Sequence, residues 1–170
     1  MLMARFLKVI LPFLLLVIPS ILFAGQFKVT GVYDGDSLTA IGHDIKIKVR
    51  LVGIDAPELK RGKHKPGQPF GQKAKRFLVA MVLNKQVFIK GYGLDYHNRI
   101  LAVVYVDKKN INLEMIKAGL AEAYRGKPAS GFDPSPYRTA EAQAKSQKRG
   151  MWSQGDKYIS PKDWRKMNKK

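Results

Sequence analysis

Asp36, Asp55 and Glu58 are the acids whose spacing could do chemistry, and Arg50 lies between them. Carboxylate oxygens are hard donors of the kind calcium takes, and a carboxylate can also hold or deprotonate a water. A guanidinium grips two anionic oxygens at once, which an ammonium cannot do. Hydrolysis of a phosphodiester needs such parts: an activated water, electrophiles on the phosphoryl oxygens, and a metal or an equivalent clamp. Three acids and an arginine drawn to one spot, in a chain of net charge +18, need a reason.

The elements that must position them follow from local patterns. One acidic knot starts at Tyr33-Asp34-Gly35-Asp36-Ser37-Leu38, and a second closes with Asp55-Ala56-Pro57-Glu58. Between them Ile45, Ile47, Val49 and Leu51 alternate with Lys46, Lys48 and Arg50, the period of a strand with one buried face. Asp34-Gly35 is a turn signal that puts Tyr33 and Asp36 at the mouth of a hairpin, and Gly53 and Pro57 end the following strand. If the strands pair, Asp36, Asp55 and Glu58 share one end of the ribbon, with Arg50 on the polar face beside them.

The remaining pattern supplies a frame. Gln26–Tyr33, Ser37–Ile41 and Ile45–Gly53 read as strands, with a turn at Gly42-His43-Asp44. Phe70, Ala74, Phe77, Leu78 and Met81 have helical spacing over Phe70–Leu83. Lys85–Tyr92 and Arg99–Val106 read as two more strands. Ile111–Ala118 is a short helix capped by Asn110 or Asn112 and closed at Gly119. Ser135-Pro136 opens a last helix, Tyr137–Arg149, which Gly150 stops. Five short strands with helices after the third and fifth predict an α+β fold built on a small closed barrel of the oligonucleotide-binding (OB) type.

Composition bounds the partner. The chain has 170 residues, with 31 Lys+Arg against 13 Asp+Glu. That excess points to a polyanion, nucleic acid before anionic membrane, or to a merely solvated basic surface. There is no cysteine, which excludes disulfides, thiolate zinc sites and cysteine catalysis. His43, His64 and His97 are too scattered for a metal cluster.

At the N-terminus Arg5 and Lys8 precede an apolar run, Val9–Ala24, broken by Pro12, Pro19 and Ser20. This reads as a secretory signal, giving a secreted or periplasmic protein, with an uncleaved membrane anchor as the alternative. Residues 1–24 hold two of the basic residues and no acid, so +16 of the +18 stays with the remainder. The expected division is 1–25 leader or anchor, 26–152 domain and 153–170 basic tail. Residues 155–170 carry six basic side chains against two acids, with Tyr158 and Trp164 among them. That tail is expected to be a solvated, loosely docked extension; an auxiliary phosphate-binding arm is the other reading.

Asp34-Gly35-Asp36, Arg50 with Asp55-Ala56-Pro57-Glu58, Asp95-Tyr96-His97-Asn98-Arg99 and the stretch Glu141–Trp152 together resemble the staphylococcal (micrococcal) nuclease family, in the right order over Phe27–Trp152. The resemblance implies a five-stranded OB barrel with three helices and a calcium-dependent phosphodiesterase acting on DNA and RNA. It implies that Asp36 and Asp55 bind Ca2+, with the Ala56 carbonyl as a third donor, and that Arg50, Glu58 and Arg99 are catalytic. Ala56 stands where the family often has Thr, which removes a hydroxyl but keeps the carbonyl. His97-Asn98-Arg99 replaces Tyr-Gly-Arg; Asn98 can adopt the left-handed conformation of that Gly, and His97 either stacks on a base or is an ordinary turn residue. Tyr124 resembles an aromatic of the nucleotide pocket, or is a packing residue. Asp34 either forms the Asp-Gly turn or acts on the metal through water. Lys60, Arg61, Lys63, Lys65 and Lys127 are candidate phosphate contacts. A catalytically silent OB module that binds nucleic acid is the alternative function. No oligomer and no protein partner is implied.

Overall fold

The computed structural model describes residues 26–60, 62 and 66–168. The expected leader, with Arg61, Lys63, His64 and Lys65, lies outside the described residues.

The chain runs β1 (Gln26–Val32), β2 (Ser37–Gly42), β3 (Ile45–Leu51), β4 (Ile54–Asp55), α1 (Gly71–Val82), β5 (Gln86–Leu94), β6 (Ile100–Val106), β7 (Lys109–Asn110), α2 (Ile111–Lys117), β8 (Glu122–Ala123) and α3 (Ser135–Ser146). A 3-10 segment, Gly150–Lys157, and a final helix, α4 (Pro161–Met167), complete it. Strand order is β3-β2-β1-β5-β6, and β6 returns to pair in parallel with β3, so five strands close into the expected barrel. Breaks in register between Val29 and Gly31 and between Gly91 and Leu94 supply the bends that closure requires.

The alternation read in β3 holds where the strand covers the core and fails at its outer end. Val49 and Leu51 are buried and Ile47 half-buried, whereas Ile45 beside the hairpin is exposed. That hairpin turns through His43 at φ 50° and Asp44 at φ 59°, the doubly left-handed geometry suited to the twist of paired strands. Val29, Leu38, Ala40, Val49, Leu51, Val87, Ala102 and Val104 are buried in the core, joined by Ala74, Leu78 and Val82 of α1 and Ile111, Met115 and Ile116 of α2.

Asn112, fully buried, ties α2 to the barrel. Its Oδ1 accepts from Val104 N at 3.1 Å, and its Nδ2 donates to Val52 O and Ala102 O at 2.9 Å. The cap of α2 is Asn110, whose side chain accepts from Leu113 N. At α3 the expected cap fails: Asp133 Oδ1 accepts from Ser135 N, so Ser135 is already helical and α3 starts two residues early.

Among the described residues five helical segments stand where three helices were expected, and the excess is the C-terminal arm. Ser160 Oγ accepts from Asp163 N at 3.0 Å and Pro161 takes the first helical position, which starts α4. The arm is docked rather than loose. Trp152 and Tyr158 rings meet at 4.5 Å, and Tyr158 Oη donates to Glu122 Oε2 at 2.7 Å. Gln68 Nε2 donates to Ile159 O at 2.6 Å and Trp164 Nε1 to Pro66 O at 3.3 Å. Among the described residues no helix is long and apolar enough to cross a membrane.

Candidate active site at the barrel mouth

The turn before β2 sets the first acid. Asp34 Oδ1 accepts from Asp36 N at 3.1 Å, closing the Asp-Gly turn. A side chain at Gly35 would put its Cβ 2.6 Å from Ala56 Cβ and 2.8 Å from Ala74 Cβ, so only glycine lets the turn lie against the second acidic knot. Asp36 is thereby buried. Its Oδ2 accepts from Ala56 N at 2.9 Å and its Oδ1 from Ser37 Oγ at 3.0 Å, which binds the two knots directly.

Asp55 is fixed by the short ribbon of β4 with β8, in which Ile54 faces Ala123 and Asp55 faces Glu122. Glu58 leaves the ribbon and is held through its backbone: Gln68 Oε1 accepts from Glu58 N at 3.1 Å, and Glu58 O accepts from Gln68 N at 2.8 Å. Arg50 sits opposite Ser37 in the β2–β3 register. Its fork spans the acids, Nη1 donating to Asp36 Oδ1 and Nη2 to Asp55 Oδ1 at 3.0 Å. Arg99 arrives from the β5–β6 turn, where Asn98 has φ 57°. Asp95 accepts from Arg99 N and Nε and from His97 N, and Arg99 Nη1 donates to Ser37 Oγ at 3.2 Å. The chain Arg99–Ser37–Asp36–Arg50–Asp55 is therefore continuous.

The charges respond to this setting. Burial pushes the Asp36 carboxyl up, to about 7, with Asp34 and Asp55 adding to the rise while Arg50 and the Ala56 N–H pull it down. Burial opposes the Arg50 charge, yet Asp36, Asp55 and Asp34 hold its pKa above the ordinary arginine value. Partial burial likewise opposes the Asp95 charge, but the hydrogen bonds from Arg99 and His97 keep its carboxyl below the usual range.

The site opens on a cleft of about 960 Å³ whose walls include Asp34, Asp36, Arg50, Ala56, Glu58, Arg99 and Lys127. His97 and Tyr124 line it too. Tyr96, 89% exposed, lies with its ring 3.9 Å from that of His97, and Tyr124 is 47% exposed. Of the residues assigned to metal, catalysis or substrate from the sequence, all border this cleft except Asp55, which is 2% exposed under its arginine partners. Of the candidate phosphate contacts, Lys127 borders it and Lys60 does not, while Arg61, Lys63 and Lys65 lie outside the described residues.

Three participants escaped the sequence reading. Gln68 is buried and clamps Glu58 to the arm. Glu141 accepts from Ala123 N at 3.0 Å and from Arg125 Nη2 at 2.7 Å, bracing the strand opposite Asp55. Arg165 on α4 reaches both Asp55 and Glu58. The first two are signalled only by being polar among apolar neighbours, while the third has a local helix-start signal at Ser160-Pro161.

The donor set suits an oxygen-seeking cation. Asp36 and Asp55 are linked by a single guanidinium, so a cationic centre already balances them at this spot. Among the described residues no three His, Asp or Glu side chains form a metal-binding group by themselves. A cation here would need carbonyl, water or substrate oxygens to complete its shell, as calcium accepts.

Comparison with known proteins agrees with the geometry. The family model described as staphylococcal nuclease homologue matches residues 48–154. An "Uncharacterized endonuclease" of Haemophilus influenzae is 41% identical over 143 residues, covering 84% of this chain and 74% of its own length. A "Probable endonuclease LCL3" of Phaeosphaeria nodorum is 39% identical over 69% of this chain, and one of Saccharomyces cerevisiae 41% identical over 71%. The match spans only 42% and 46% of those two fungal proteins.

Proposed function

The chain belongs to the staphylococcal nuclease family, and from that premise we propose that it is a calcium-dependent endonuclease hydrolysing phosphodiester bonds of DNA and RNA with little sequence preference. The observation that carries the reading is convergence: Asp36, Arg50, Asp55, Glu58 and Arg99 come from separate turns and strands to one end of the barrel in a chain of net charge +18. A pure binding module would gain nothing by presenting these acids to phosphate.

In this reading Asp36 and Asp55, with the Ala56 carbonyl, would hold Ca2+, which would supply Lewis acidity and positive charge toward the phosphoryl oxygens. Glu58, on the rim, positions the attacking water and takes its proton as the new phosphorus–oxygen bond forms, while the bond from phosphorus to the leaving nucleotide oxygen breaks and that oxygen takes a proton from solvent. Arg50 and Arg99 donate to phosphoryl oxygens as negative charge accumulates, Arg50 turning from the carboxylates that take the cation and Arg99 held in place by Asp95. His97 and Tyr124 offer ring faces to bases, and Lys127 contacts the backbone without reading sequence. Asp34 serves the turn. The N-terminal leader directs the protein to the periplasm or medium, where it acts as a monomer.

The test is nicking of supercoiled plasmid and single-stranded DNA by the purified protein with calcium and with a chelator, beside Glu58→Gln. Calcium-dependent cleavage that falls by at least a hundredfold in the variant is expected. A wild-type protein that binds DNA but cuts it in no divalent metal would establish the silent OB module instead.

A further inference from the structure

The C-terminal arm delivers a cation to the carboxylates that the proposed function gives to a metal and a water. Arg165 Nη1 donates to Asp55 Oδ1 at 3.0 Å and to Glu58 Oε1 at 2.7 Å, while Nη2 donates to Asp55 Oδ2 at 2.7 Å. Asp55 Oδ1 also accepts from Arg50. Both oxygens of Asp55 are therefore engaged, and Arg165 bridges the two acids as a cation would.

The placement is built by the whole arm. Ser160 caps α4, Pro161 is buried at its first position, Trp164 reaches back to Pro66 O, and Gln68 joins Glu58 N to Ile159 O. The hold is nonetheless releasable. The Arg165 side chain is 41% exposed, so its ion pairs are partly screened by water. The helix is seven residues long, and Pro161 is its one buried residue.

We infer that Arg165 is a tethered counter-cation: it neutralises Asp55 and Glu58 in the cation-free protein, and docking of α4 and binding of a divalent cation at Asp55 exclude one another. A guanidinium and a dication cannot share the same oxygen lone pairs, and like charges at such separations repel. Calcium must displace Arg165, and the apparent calcium affinity is lowered by the fraction of molecules with the arm docked. The inference rests on the metal site proposed above.

The experiment is calcium titration by calorimetry of the wild-type protein, Arg165→Gln and Lys166→Gln, with hydrogen exchange of the peptide spanning 161–167. Lys166→Gln removes an equal charge one residue away from an exposed side chain that pairs only weakly, at 3.5 Å, with Asp163. Arg165→Gln should bind calcium roughly tenfold more tightly or better if docked molecules outnumber undocked by that factor. Lys166→Gln should stay within about threefold of wild type, because an exposed charge is screened. In the wild-type protein calcium should speed exchange in 161–167, a readout that needs no variant. Equal calcium affinity in wild type and Arg165→Gln, with exchange in α4 indifferent to calcium, overturns the inference and leaves the metal site standing. Calcium binding by neither protein overturns the metal site and the inference together.

Discussion

Arg50→Lys separates a strut from a catalyst. The guanidinium spans Asp36 and Asp55, both nearly buried, with its own side chain 19% exposed. Lysine keeps the charge but reaches only one carboxylate. Hydrogen bonds to charged groups are worth about 1.5–3 kcal/mol. The acids left behind keep other donors, Ala56 N and Ser37 Oγ on Asp36 and Arg165 on Asp55, so the lower end applies, roughly 1–2 kcal/mol. For a domain of this size that is a fall in melting temperature of about 3–7 °C. If Arg50 also meets charge developing on phosphate, loss of a correctly placed donor costs a further 10²–10³ in turnover, roughly 3–4 kcal/mol. Thermal unfolding by circular dichroism gives the first number. Plasmid cleavage at 25 °C in saturating calcium, far below the melting temperature, gives the second. A variant that melts several degrees early yet cleaves within about fivefold of wild type would show that Arg50 only ties the acids together, and the transition-state role would be wrong.

Other consequences follow from buried polar groups and from the cleft. Asn112→Ala strands Val104 N and Val52 O inside the barrel; at about 1–3 kcal/mol per unsatisfied group it should lose roughly 3–4 kcal/mol in urea unfolding, and a loss under 1 kcal/mol would contradict the clamp. Glu122 is pushed up by burial, so the folded protein holds its proton more tightly than the unfolded chain does. Its contribution is complete below the ordinary glutamate pKa and disappears as pH rises through the raised folded value. Glu122→Gln retains an acceptor for Tyr158 and removes that loss, so its stability relative to wild type should increase from pH 4 to pH 8; a constant difference would refute this. Tyr137 is raised to about 12, chiefly by burial, and the same sign makes the fold weaken between pH 10 and pH 12, less so in Tyr137→Phe. Tyr124→Ala should weaken single-stranded DNA binding by about 5–30-fold if a base stacks there, and unchanged affinity would reduce Tyr124 to packing.

What the sequence disclosed and what it hid divide by range. Alternation over the core end of β3, the Asp-Gly turn, a cap at one of the two asparagines (Asn110) and the left-handed Asn98 are each decided within a few residues, and each is found in the structure. The Ser-Pro signal shows where local rules stop being sufficient. At Ser160-Pro161 the serine is the cap, and reading it as Ser135-Pro136 was read would have given α4. At Ser135 the nearby Asp133 takes the N–H first, so the boundary moves. Docking of the arm lies further out of reach. Arg165 and Asp55 are 110 residues apart, and an arginine among the six basic residues of 155–170 looks the same whether solvated or seated on an acid. The discriminating quantity was charge balance at the site. Asp36 has Arg50 and Asp95 has Arg99, whereas among the described residues the arginine that answers Glu58 is Arg165 of α4 and not one from the barrel strands. Acids gathered so closely require another cation, and in this chain the C-terminal arm provides one.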